Sequence, residues 1–172
     1  MRGLWLVAVG ATLAVQVAAQ AFPPPPVQRN ASGGTRIGLL GFGVRAGADF
    51  SGQAVFGVAL DAGNLFVNRF RLRPSAEIGI QSGANSYVAS IEGLYRLSGD
   101  HQAAIPYFGG GVAVAGHAEC GTDTTCPDVW VNVVLGIEVR YRSTFNWLFE
   151  YHALDAFQRS RVYLGLTTRR GN

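Results

Sequence analysis

From Arg36 to Arg169 the chain alternates apolar and polar residues with a period of two, and its charges keep to one side of that alternation. Successive side chains of a strand point to opposite faces, so the pattern requires β-structure with one apolar and one polar surface. Turn-like clusters divide the region into eight predicted strands, at residues 37–50, 54–63, 70–81, 86–97, 105–117, 129–141, 145–154 and 161–169. In the sixth, Val129, Val131, Val133, Leu135, Ile137, Val139 and Tyr141 oppose Trp130, Asn132, Val134, Gly136, Glu138 and Arg140. The third sets Arg71, Arg73 and Glu77 against Phe70, Leu72, Ile78 and Ile80; the fourth sets Glu92 and Arg96 against Tyr87, Ile91 and Tyr95. In the seventh, Glu150 and His152 oppose Phe145, Trp147, Phe149 and Tyr151. Arg45 and Asp49, Asp61, and Arg161 and Arg169 follow the same rule in the first, second and eighth strands. The fifth strand has no charge, so charge does not fix its phase.

Two architectures bury one face of eight antiparallel strands. A soluble barrel or sandwich turns its apolar face inward, and a transmembrane barrel turns it toward lipid. Three features favour the second. The polar face combines seven arginines with six acids, a near-neutral set suited to an enclosed lumen where charges must pair. A soluble surface would normally include lysine, and the chain has none. Aromatic residues collect where even-numbered strands end and odd-numbered strands begin: Phe70, Tyr95, Tyr107, Phe108, Tyr141, Phe145 and Trp147, as in an interfacial girdle. Glycines also lie beside long side chains, notably Gly41, Gly43 and Gly47 near Arg45, and an eight-stranded lumen is only wide enough to be filled by such alternation. The expected fold is all-β: an eight-stranded antiparallel up-and-down transmembrane β-barrel with a polar lumen, monomeric, with no open pore, metal or cofactor.

The remaining residues frame that domain. Arg2, the apolar run from Leu4 to Val15, and Ala19-Gln20-Ala21 make residues 1–21 a predicted signal peptide cleaved before Phe22. Residues 22–35, with Pro23 to Pro26 and then Ser32-Gly33-Gly34, read as a periplasmic spacer, leaving 36–170 for the barrel. A net charge of +3 with 15% charged residues provides no dense basic stripe, which argues against nucleic acid as a partner.

The signal peptide, the dyad strands and the segment Pro106-Tyr107-Phe108-Gly109-Gly110-Gly111-Val112-Ala113 together resemble the small eight-stranded outer-membrane barrels of Gram-negative bacteria. The resemblance implies an outer-membrane location, contact with membrane lipid and lipopolysaccharide, and insertion by the outer-membrane assembly machinery. Similar barrels are anchors, adhesins or lipid-modifying enzymes, so the fold leaves function open. Such barrels usually end in an aromatic residue used in assembly, whereas this chain ends Thr167-Thr168-Arg169-Arg170-Gly171-Asn172.

The lumen-facing charges predict an ion-pair network of Arg45, Arg73, Glu77, Glu92, Glu138, Arg140 and Glu150 that plugs the barrel. Cys120 and Cys126 fall in the longest loop and are expected to form a disulfide, with a metal site of His117, Asp123 and both thiols as the lesser reading. Glu150 and His152, with Ser160 as a nucleophile, form the strongest catalytic constellation, which would suit a lipid A acyl hydrolase or transferase. No His-x-Ser motif accompanies it, and the expected role is structural or surface-interacting without catalysis. A soluble exported ligand-binding barrel is the third reading. N-terminal sequencing of the membrane-recovered protein should begin at Phe22; a chain retaining Met1 would overturn the cleavage site.

Overall fold

The computed structural model describes residues 34–82, 85–99, 102–117, 120, 126–155 and 157–168. The predicted signal peptide, almost all of the spacer, and Asp123 and Arg169 lie outside the described residues. Eight strands form in chain order: β1 (Arg36–Asp49), β2 (Ala54–Asn64), β3 (Phe70–Ile80), β4 (Ser86–Arg96), β5 (Ala104–His117), β6 (Asp128–Arg140), β7 (Phe145–Leu154) and β8 (Arg159–Thr168). Each pairs antiparallel with its sequence neighbour, and β1 closes on β8. Closure leaves no open sheet edge, and an even strand number puts the first and last strands' free ends at one rim, here called the terminal rim. Strands of 10 to 14 residues are long enough to cross a hydrocarbon layer when tilted.

The burial pattern is inverted relative to a soluble barrel. Arg45, Asp49, Arg73, Glu77, Glu92, Glu150, His152 and Arg161 are buried inside, while Val58, Ile78, Ile91, Val112, Val131, Leu135, Phe149 and Leu164 are exposed on the outer wall. An apolar cavity expected of a soluble ligand carrier is therefore replaced by a charged interior and an apolar exterior. Two small apolar clusters complete the lumen filling. Val88, Ala113, Ala115, Trp130 and Leu154 pack near the rim opposite the termini, and Leu94, Tyr107, Val134 and Leu148 pack nearer the terminal rim.

Glycine makes this filling sterically feasible. Arg45 sits in register between Gly57 of β2 and Gly165 of β8, and Glu92 and Glu150 face Gly111 and Gly136 across the ladder. A Cβ on Gly111 would run into the carbonyl oxygen of Ile91, and one on Gly165 into that of Val44. The glycines of Gly109-Gly110-Gly111 thus permit close strand approach within a wall. Gly63, at φ 117°, holds the irregular end of β2 in a conformation that disfavours other residues.

Placing a charge on the outer wall tests this orientation. Leu135→Arg, near the middle of β6 and outward-facing, should destabilise the membrane-inserted fold by about 2–4 kcal/mol. Urea titration in vesicles measures the loss; a change near zero would mean that this wall does not face lipid.

Candidate functional site: the charged lumen

Alternate residues of β1 and of β3 through β8 project inward and build one continuous polar network. Glu150 is its hub. One carboxylate oxygen accepts from Arg45 Nη1 at 2.6 Å and lies 3.1 Å from His152 Nε2. The other accepts from Arg73 Nη1 and Tyr107 Oη. Glu77 accepts from Arg45 Nη2 at 2.6 Å, Arg161 Nη1 at 2.8 Å and Tyr163 Oη at 2.6 Å. Glu92 accepts from Arg73 Nε at 2.8 Å, Asn132 Nδ2 at 2.9 Å and Ser90 Oγ at 3.1 Å. Asp49 receives Arg161 Nε at 3.0 Å.

The electrostatics follow from these contacts. Three guanidinium groups, of Arg45, Arg73 and Arg161, meet four carboxylates, of Asp49, Glu77, Glu92 and Glu150, and each guanidinium bridges two of them. Hydroxyl and amide donors from Tyr107, Tyr163, Ser90 and Asn132 fill carboxylate positions that arginine does not. Such multiple pairing offsets the cost of removing ions from water. Nearer the terminal rim, Arg71 pairs with Asp61 at 3.2 Å and Arg96 with Glu138 at 2.9 Å, and Asn146 also donates to Glu138. A cavity of about 40 Å³ in this half, lined in part by Asp61, Arg71 and Glu138, has room for a few waters.

Of the predicted lumen charges, Arg45, Arg73, Glu77, Glu92 and Glu150 meet in the buried cluster, and Glu138 lies in the separate pair with Arg96. Arg140 departs from expectation: it is exposed at the end of β6, where the outer wall gives way to the rim. Arg161 and Asp49 belong to the cluster although only their polar-face placement was legible in the sequence. Tyr107 also departs from expectation. It is 3% exposed and donates to Glu150 inside the lumen, whereas adjacent Phe108 faces outward. Neighbouring strand residues cannot share a face, so the pair could not both join an outer girdle. Phe70, Tyr95, Phe108, Tyr141, Phe145 and Trp147 lie on the outer wall toward the terminal rim, with Tyr95–Phe108 and Tyr141–Trp147 ring centroids 5.8 and 5.4 Å apart.

The catalytic constellation is not assembled. His152 is buried in the lumen beside Glu150 and Arg45, whereas Ser160 lies in the opposite phase to inward Arg161, with its Oγ 2.9 Å from Tyr151 Oη on the outer wall. Cys120 and Cys126 are joined by a disulfide, with Cα atoms 5.1 Å apart. His117 lies beside it and completes a group of three residues of metal-ligating type. With both sulfurs in the disulfide, this group lacks the thiolates that a zinc site uses.

The first protein class defined by this geometry is the transmembrane β-barrel with a charge-filled lumen. Comparison with protein-family models gives no match, and comparison with curated proteins gives none either. Among solved structures, the N-terminal β-barrel domain of Pseudomonas aeruginosa OprF superposes with a TM-score of 0.59 at 11% identity, covering 74% of this chain and 94% of that one. A de novo designed transmembrane β-barrel gives 0.54 at 13% identity, covering 81% and 98%. At these identities the shared property is the fold, which is that of the small eight-stranded outer-membrane barrels.

Glu150→Ala strands Arg45 and Arg73 with one carboxylate partner each, and should lower stability in vesicles by about 3–5 kcal/mol. Adding Arg73→Ala should recover part of that loss. Strictly additive losses in a double-mutant cycle would show that the two side chains are not coupled.

Proposed function

We propose that the protein is an integral outer-membrane barrel, exported through a cleaved signal peptide, with a structural or surface-interaction role and no catalysis. The observation that carries this reading is the closed wall that is apolar outside and ionic inside. Its apolar rows anchor it in lipid, while the Arg45–Glu150–Arg73–Glu92 chain of contacts fills the lumen and opposes conduction. Its partners on this reading are outer-membrane lipid, lipopolysaccharide and the assembly machinery that inserts barrels. The separation of Ser160 from His152 weighs against lipid acyl transfer. The disulfide ties Cys120 to Cys126 in the loop between β5 and β6, by sequence the longest connection on the far rim and the segment on which an external contact would rest.

Protein recovered from urea-washed outer membranes should run faster unboiled than boiled, because a folded barrel resists detergent when cold. The same preparation should pass no steady current in planar bilayers. Recovery as a water-soluble protein without the mobility shift would overturn the membrane reading; a sustained current would overturn the plug.

A further inference from the structure

The two rims differ in charge. At the terminal rim, Arg36, Arg69, Arg140 and Arg142 are exposed, and among the described residues no acid is exposed there. Asp61 and Glu138, the described acids in that half, are turned toward Arg71 and Arg96. The opposite rim exposes Asp128 and half-exposes Asp155, and the guanidinium of its exposed Arg159 lies 4.9 Å from the centroid of the Trp130 ring. In sequence, Arg169 and Arg170 follow β8 and Asp100 falls between β4 and β5, while Glu119 and Asp123 belong to the far loop.

The arginines of the terminal rim adjoin the outer apolar wall. The guanidinium of Arg142 lies 5.3 Å from the Tyr141 ring centroid, and Tyr141 stacks at a tilt on Trp147. Arg69 follows Phe66 and Val67, which expose 79% and 49% of their surface in the β2–β3 turn. Apolar and aromatic side chains ending in exposed arginines match the layering of acyl chain, interface and phosphate in a leaflet. Resting on the membrane reading above, we infer that this rim binds the phosphate headgroups of anionic phospholipid, of the phosphatidylglycerol type, with Arg142 as the principal contact beside Tyr141 and Trp147. Guanidinium suits this task because its planar donors engage phosphate oxygens in pairs.

Trp147 reports on lipid beside this rim. In mixed vesicles, its quenching by brominated phosphatidylglycerol against brominated phosphatidylcholine gives a relative affinity, with Trp147→Phe subtracting the other tryptophans. The full chain should prefer the anionic lipid by roughly fivefold or more at low salt. Arg142→Gln should bring the ratio close to one, as should high ionic strength. Cold gel mobility confirms that both proteins are folded. A folded wild-type barrel with a ratio of one overturns the inference and leaves the membrane reading intact, and an unchanged ratio in Arg142→Gln overturns the assignment to this arginine. A chain that enters neither lipid overturns both readings.

Discussion

The contacts of Glu150 with Arg45 and Arg73 join β7 to β1 and β3 across the lumen, and the rest of the interior is arranged around them. Lipid contact anchors the barrel by its apolar outer wall, but it does not select which strands meet across the lumen. Its interior must therefore supply specific cross-lumen contacts. Buried charges serve this purpose only when each finds enough partners, because an unmatched one costs several kcal/mol. Glu150, Glu77 and Glu92 each accept from at least three donors, and Arg45 and Arg73 each bridge two carboxylates. The network thereby fixes which strands face one another across the lumen as well as which are adjacent in the wall.

That network depends in turn on residues without side chains. An arginine and two glutamates occupy cross-strand positions next to glycine, and the aromatic ring of Tyr107 passes over Gly136. Substituting alanine at Gly136 would bring Cβ into the Tyr107 ring and so disturb its bond to Glu150 without touching either group's chemistry. Glycine content and lumen charge are consequently one design feature: small residues set the distance at which large ions can meet.

Most of the fold was legible because the physical rule is local. Each charged strand had to keep its ions on one face, and the strands at 70–81 and 86–97 therefore emerged with the phase that the structure has, Arg73 and Glu92 inward and Ile78 and Ile91 outward. The expected strand limits differ from the observed ones by at most two residues. Partner choice was not legible, because alternation says which face a residue occupies but not its height or its opposite number. Arg161 illustrates this. Its inward phase was readable, but its two carboxylates lie on β1 and β3, 112 and 84 residues away in sequence. Arg140 shows the converse: it keeps the alternation, but as the last residue of β6 it lies at the rim, where its side chain is exposed.

Tyr107 lies on the one strand whose orientation charge leaves open. With no charge in β5, aromatic content alone drew both Tyr107 and Phe108 to the outer wall, a placement that alternation forbids. Gly109 and Gly111 share the phase of Tyr107, as do Ala113 and Ala115, whereas Phe108, Val112 and Val114 share the other. In a narrow lumen small residues belong inside and large aliphatic ones outside, so residue volume assigns the phase that charge leaves open. The tyrosine hydroxyl supports the same assignment, since inside it can donate to a carboxylate and in the wall it would need an interfacial position. Side-chain volume is thus a second, independent reading of orientation for a small barrel, and it takes over at the strand where electrostatics is silent.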